Sequence, residues 1–208
     1  TYVTLSRFFD ERPDGRPFFL WFGSTDPHRS YSPGAFDPPH RPEEVTVPDY
    51  LPDTPAVRAD LALYYDEIAR FDRECGELMA LLEREGVADN TMVVMAGDNG
   101  LPFPRAKGTL YEPGVNIPLL AALPGVIPAG TTVDTPVSLT DLTATWLELA
   151  GAAVPDGMES RSLMPVIAGD ETRERVFFER NWHDNWDPIR GVVTGRWKLI
   201  RNYRPEVP

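Results

Sequence analysis

Thr91-Met92-Val93-Val94-Met95-Ala96-Gly97-Asp98-Asn99-Gly100 is the stretch on which the fold turns. Its first six residues are mostly apolar and partly β-branched, opened by Asp89-Asn90 and closed by Gly97, which reads as a short buried strand. An acid and an amide then stand together at the strand's carboxyl end, where open α/β sheets bind their ligands. Asp98 and Asn99 offer hard oxygen donors, which suit Ca²⁺ or Mg²⁺ better than Zn²⁺. Asp-Asn-Gly is also good turn chemistry, so the tetrapeptide by itself is either a turn or a metal site. The surrounding sequence decides between them.

Upstream, Thr54 is a good N-cap and Pro55 a good first helical residue. Leu61, Tyr64, Tyr65, Ile68, Phe71, Cys75, Leu78, Met79 and Leu82 follow at helical spacing, which predicts a helix from about 55 to 85 ended by Gly86. Before it lies a stretch, residues 32–55, with seven prolines, expected to be a long surface loop. Earlier still, Pro17-Phe18-Phe19-Leu20-Trp21-Phe22 reads as a second buried strand, followed by the loop Gly23 to His28. Downstream, Pro118 to Leu123 is a third strand, Thr140 should cap a helix through Leu149, and residues 160–168 suggest a short helix. Strands 17–22, 91–96 and 118–123 are expected to share one sheet. After Gly169 the pattern changes to short strands at 175–179, 191–194 and 197–201, with Gly195-Arg196 as a hairpin turn.

The fold class that follows is α/β: a mixed, mostly parallel sheet flanked by helices, with the start of a small antiparallel carboxyl-terminal subdomain. The expected division is 1–169 for the α/β part and 170–208 for the subdomain.

With 42% hydrophobic and 25% charged residues over 208 positions, the composition is that of a globular chain with one sizeable core. A net charge of −12 and the lack of a basic stripe argue against nucleic acid as a partner. The same charge repels polyanions at long range, so an anion site has to be locally basic. One cysteine excludes an internal disulfide framework and a Cys-based metal cluster. No apolar run reaches the roughly 18 residues that would span a membrane. No signal segment opens the sequence, and neither Thr1-Tyr2-Val3 nor Pro205 to Pro208 looks like a natural terminus.

Several side chains are candidates for chemistry. His28, after Asp26-Pro27, can hydrogen-bond an anion or protonate a leaving group, or it can staple a loop. Lys107 stands eight residues past Asn99, beyond the stiff Pro102-Phe103-Pro104, and suits a tetrahedral anion as a point charge; taken singly, a solvated surface lysine is the commoner reading. Cys75 lies on the apolar face of the long helix and reads as a core residue. His183, with Trp182, Trp186 and Arg190, forms an aromatic and basic cluster that either lines a sugar site or makes a packing seam. His40, in the proline-rich loop, is assigned no role.

Taken in order, these pieces resemble the sulfatase family of the alkaline phosphatase superfamily. The resemblance runs through Phe18, Leu20 and Trp21; Asp26-Pro27-His28-Arg29; Tyr64-Tyr65, Ile68, Asp72 and Gly76; Asn90-Thr91; Asp98-Asn99-Gly100; Lys107 to Glu112; Asp141, Leu142, Thr145 and Leu149-Ala150-Gly151; and Ser162, Leu163 and Pro165. Within the family, residues 50–61 and Asp98 to Pro104 look like the heparan N-sulfatases (sulfamidases). One departure stands out: sulfamidases have arginine where this chain has Lys107, whereas most other sulfatases have lysine.

The resemblance implies a sulfuric ester or sulfamate hydrolase acting on a small sulfated substrate, expected to be a sugar of glycosaminoglycan type. It implies a formylglycine nucleophile, installed by a formylglycine-generating enzyme, and a Ca²⁺ ion, with Mg²⁺ as the alternative. Asp98 and Asn99 would be metal ligands, His28 and Lys107 catalytic and sulfate-binding, and His183 and Arg190 substrate-binding. The family's nucleophile motif has no counterpart here, since Cys75 is followed by Gly76-Glu77-Leu78. The chain is therefore expected to be the carboxyl-terminal part of a sulfatase catalytic domain, inactive by itself. Two rivals stay open: a phosphatase or phosphonate monoester hydrolase of the same superfamily, and a non-catalytic sulfated-glycan-binding module. O- against N-sulfate specificity, compartment (lysosome, periplasm, cell exterior or bacterial cytosol) and oligomeric state are left open.

Overall fold

The computed structural model describes residues 2–183 and 185–206. The chain divides into two units, Thr1–Thr91 and Met92–Pro208.

The first unit opens with helix α1 (Tyr2–Glu11), which the sequence reading did not expect. Phe9 of α1 is buried, and the Phe8 and Phe9 rings meet Phe18 edge-on at 5.9 and 5.3 Å. Helix α2 (Pro55–Arg84) forms as its signals dictate. The Val57 amide donates to the Thr54 hydroxyl at 3.3 Å, and Pro55 occupies the first turn, where its missing N–H leaves nothing unpaired. At the far end Gly86 adopts φ +66°, and the amides of Gly86 and Val87 donate back to the carbonyls of Glu83 and Leu82. Of the expected stripe Leu61 and Leu82 are buried, as is neighbouring Leu81, whereas Ile68 and Met79 are exposed.

The proline-rich loop is stitched onto α2. Arg58 donates to the Val45 carbonyl at 3.1 Å and forks onto Asp53. His40 donates to the Asp66 carboxylate from its amide, and its Nδ1 contacts the same oxygen, both at 2.8 Å. Asp66 is buried, and a buried carboxylate needs such donors. His40 therefore has a structural task.

Pro17–Phe22 is corrected. The segment alternates as a strand should, with Phe18, Leu20 and Phe22 inward and Phe19 (62% exposed) and Trp21 (76%) outward. It has no ladder partner among the described residues, however, and does not share a sheet with 91–96 and 118–123. Apolar alternation sets an extended backbone; only a second strand makes it part of a sheet.

In the second unit, β1 (Val93–Ala96) is followed by the short helix α3 (Glu112–Val115) and by β2 (Leu119–Ala122). β1 and β2 pair antiparallel, Val93 opposite Ala122 and Ala96 opposite Leu119. Helices α4 (Asp141–Leu149) and α5 (Met164–Ala168) come next. Thr140 does not cap α4 with its side chain. The Ser138 amide instead donates to the Asp141 carboxylate at 2.8 Å, as does the Arg161 amide at 3.0 Å, and Arg173 pairs with the same carboxylate at 2.5 Å. A buried acid with three partners thus ties α4 to the segments after it.

The chain ends in an antiparallel sheet of β3 (Val176–Trp182), β4 (Trp186–Thr194) and β5 (Trp197–Asn202). Gly195, at φ +51°, takes the first position of the two-residue turn between Thr194 and Trp197. Among the described residues, no helix is long and apolar enough to cross a membrane.

Candidate functional site

β1 runs out into Gly97-Asp98-Asn99-Gly100, which is held at both ends. The Gly97 amide donates to the Pro118 carbonyl at 3.1 Å, extending the β1–β2 ladder. The Gly100 amide donates to the Gly114 carbonyl at 3.2 Å. A Cβ on Gly100 would overlap the Pro113 carbonyl, so only glycine fits there. Between these anchors, exposed Asp98 and half-buried Asn99 line a cavity of about 910 Å³, together with Glu112, Asn116 and Lys198. A carboxylate and an amide oxygen fit a hard divalent cation as part of a ligand set. Among the described residues, no group of three or more His, Cys, Asp or Glu side chains could hold a metal ion.

Lys107 is not among the residues lining that cavity; backbone bonds hold its amide against Leu101, the residue after the turn. The Leu101 carbonyl accepts from the amides of Phe103 (2.8 Å) and Lys107 (3.0 Å), closing residues 101–107 into a loop with Phe103 and Ala106 buried inside it. Lys107 itself is half-buried. The next residue, Gly108, has φ +77°, and a Cβ there would meet the His183 ring at 3.2 Å. The expected aromatic and basic cluster is therefore split. His183 lies on the Lys107 turn, whereas Arg190 pairs with Glu179 at 2.9 Å. Trp182 and Trp186 face each other in register as the closing pair of the hairpin, both exposed, with the Arg204 guanidinium over Trp186.

His28 belongs to the other unit. Its amide donates to the Thr25 carbonyl at 2.8 Å, and its Nδ1 contacts the Arg29 carbonyl. A carbonyl only accepts, so this contact calls for the proton on Nδ1. α2 grips both flanks of this residue. Arg70 forks onto Asp26 at 2.6 and 2.5 Å, and Arg29 forks onto Asp60 at 3.1 and 2.5 Å. Arg70 also reaches Glu67 at 2.8 Å.

The carboxyls of Asp26 (8% exposed) and Glu67 (5% exposed) share that single guanidinium. Arg70 holds Asp26 below the usual carboxylate range, while burial and then Asp26 push Glu67 above it. The depressed Asp26 contributes stability at neutral pH that is lost as pH falls through its lowered value; the raised Glu67 works the other way, losing stability as pH climbs through its own. Arg70→Ala should thus destabilise the protein by about 2–3 kcal/mol at pH 7, a figure reduced for the partial exposure of Arg70. The deficit should be smaller at pH 5 than at pH 7, because a raised Glu67 gains proton occupancy as pH falls. Denaturant unfolding at the two pH values checks this, and a deficit that grows toward pH 5 would contradict it.

Asp60, Glu67 and Arg70 escaped the sequence reading because they look like the solvated face of a helix. The available signal was the Glu67–Arg70 spacing of three beside the apolar positions Ile68 and Phe71. Cys75 is half-buried rather than in the core, and burial, then Asp72 and Glu74, push its thiol up, which suits a nucleophile poorly.

The Sulfatase family model matches residues 2–152. The chain belongs to the sulfatase family. A second model, N-sulphoglucosamine sulphohydrolase, C-terminal, matches residues 105–207. Human N-sulphoglucosamine sulphohydrolase is 31% identical over 242 aligned positions, covering 98% of this chain and 47% of that protein. The match of this sulfatase chain thus spans about a quarter to a half of the length of its curated relatives. Among solved structures, a Bacteroides thetaiotaomicron protein from its glycosaminoglycan metabolism superposes with a TM-score of 0.81 at 20% identity, over 97% of this chain and 48% of that one. A protein solved with its substrate D-glucosamine-2-N,6-O-disulfate gives a TM-score of 0.65 at 24% identity, over 75% and 35%. At these identities the structural matches establish the fold, that of the alkaline phosphatase-like sulfatases.

Proposed function

We propose that this sulfatase chain supplies one part of an active site that hydrolyses a sulfuric ester or sulfamate on a small sulfated sugar. The observation that carries the reading is the Asp98-Asn99 pair, pinned at a strand end over a cavity, with the Lys107 amide held by the Leu101 carbonyl just past that turn. Asp98 and Asn99 would hold a Ca²⁺ ion, with Mg²⁺ as the alternative. When bound, such an ion polarises the sulfate and offsets its charge. Lys107 binds a sulfate oxygen as a point charge, which a chain of net charge −12 needs locally. His28, its Nδ1 fixed on the Arg29 carbonyl, donates a proton from Nε2 to the departing oxygen or nitrogen. His183 meets the sugar beside Lys107; Arg190 does so only by exchanging Glu179 for it. The nucleophile, a formylglycine made by the formylglycine-generating enzyme, lies outside these 208 residues, which hold no matching motif.

The sugar class is supported by a relative named for N-sulphoglucosamine and a structural neighbour holding a glucosamine N,O-disulfate. Asn99 favours a sulfatase over a phosphonate monoester hydrolase, because an amide oxygen suits Ca²⁺ where a histidine would favour a transition metal. Metal analysis of the intact protein tests the reading together with turnover of glucosamine N-sulfate and 6-O-sulfate. Stoichiometric Ca²⁺ or Mg²⁺ with hydrolysis of either sulfate is expected. Stoichiometric Zn²⁺ with phosphonate ester turnover alone would overturn it.

A further inference from the structure

Arg180 of β3 bridges two acceptors from separate parts of the chain. Its Nη1 donates to the Gly108 carbonyl and its Nη2 pairs with Asp187 of β4. Both side chains are largely buried, at 21% and 9% exposure, so the link is more than a solvated surface pair. Three other contacts bear on the same turn. Gly108 holds φ +77° with the His183 ring packed where a side chain would go. The Thr109 hydroxyl donates to the Ala106 carbonyl at 2.8 Å. Lys198 of β5 pairs with Glu112, four residues past Gly108. The antiparallel sheet thus grips residues 108–112 at both ends, directly after Lys107.

We propose that Arg180, aligned by Asp187, is a positioning residue for Lys107. The inference rests on the reading of Lys107 as a sulfate ligand. A lysine has a long, freely rotating stem, and its charge stabilises a transition state best when it is held in place beforehand. The Leu101 carbonyl fixes the Lys107 amide on one side, and Arg180 fixes the Gly108 carbonyl on the other. The planar guanidinium meets Gly108 and Asp187 with separate nitrogens in a fixed fork, a geometry that the single, freely rotating ammonium of a lysine would hold less firmly. The carboxyl-terminal sheet is by this account part of the catalytic apparatus.

A double-mutant cycle in the intact enzyme tests this, with kcat/KM on a sulfated sugar and the inhibition constant of inorganic sulfate as readouts. Arg180→Ala should lower kcat/KM by about 10- to 100-fold, the scale of a small misplacement of a reacting group, and weaken inhibition by sulfate in parallel. In a Lys107→Ala background the same change should have less than about a twofold effect. Arg180→Lys, run through the same cycle, covers a failure of Arg180→Ala to fold. Equal losses in both backgrounds would overturn the proposal, since Arg180 would then act on the fold at large. A Lys107→Ala enzyme with undiminished kcat/KM would instead remove the sulfate-ligand reading itself, and the proposal with it.

Discussion

Lys107→Ala in the intact enzyme should lower kcat/KM by about 10²–10³, the scale of one lost transition-state donor. On the proposed reading, charge on the sulfate oxygens has to be met locally, because the chain as a whole carries −12. Lys107 is suited to that task by its place: half-buried, with its amide held at 3.0 Å by the Leu101 carbonyl. Lys107→Arg should retain activity within about tenfold, since either cation can hold a sulfate oxygen. Steady-state kinetics on a sulfated glucosamine measures both. An alanine variant within threefold of the parent would remove Lys107 from the site.

His28→Ala should cause a comparable loss, but one that depends on the leaving group. A general acid contributes most where the departing oxygen is basic, so a sugar alcohol should suffer more than a nitrophenol. The expected loss is about 10²–10³ for a sugar sulfate and under about tenfold for an activated aryl sulfate. On the proposed reading the Nδ1–carbonyl contact would leave Nε2 to transfer the proton, while α2 keeps the loop in place through the Asp26–Arg70 and Arg29–Asp60 forks. Rates for a series of aryl sulfates with leaving groups of rising pKa test this. Equal losses across the series would assign His28 to binding rather than to proton transfer.

Some of these groups were legible as residues but not as neighbours. His183 and Arg190 look alike in the sequence, two polar side chains among tryptophans. The fold sets them apart: His183 packs on Gly108, and Arg190 goes to Glu179 across the β3–β4 pair. Nothing local distinguishes them, because what each touches is fixed by hairpin register. Thr140 and Asp141 make a similar case. Either can serve a helix start, and Arg173, only partly exposed, pairs with the acid.

Features set by neighbours along the chain were determined by the sequence itself. Thr54, Pro55 and the apolar spacing from Leu61 to Leu82 specify α2, and Gly86 stops it, because capping and helical periodicity act within a turn or two. Gly195 likewise specifies the hairpin between β4 and β5, and Asp98-Asn99 at an apolar strand's end is a property of ten consecutive residues. Tertiary structure alone decided that β2 lies antiparallel beside β1, that 17–22 stays unpaired among the described residues, and which charges support the candidate site. Arg70 lies 44 residues from Asp26 and Arg180 lies 72 from Gly108. No local propensity encodes such pairs: each forms only after burial has brought distant segments together and removed the water that would otherwise compete for the guanidinium.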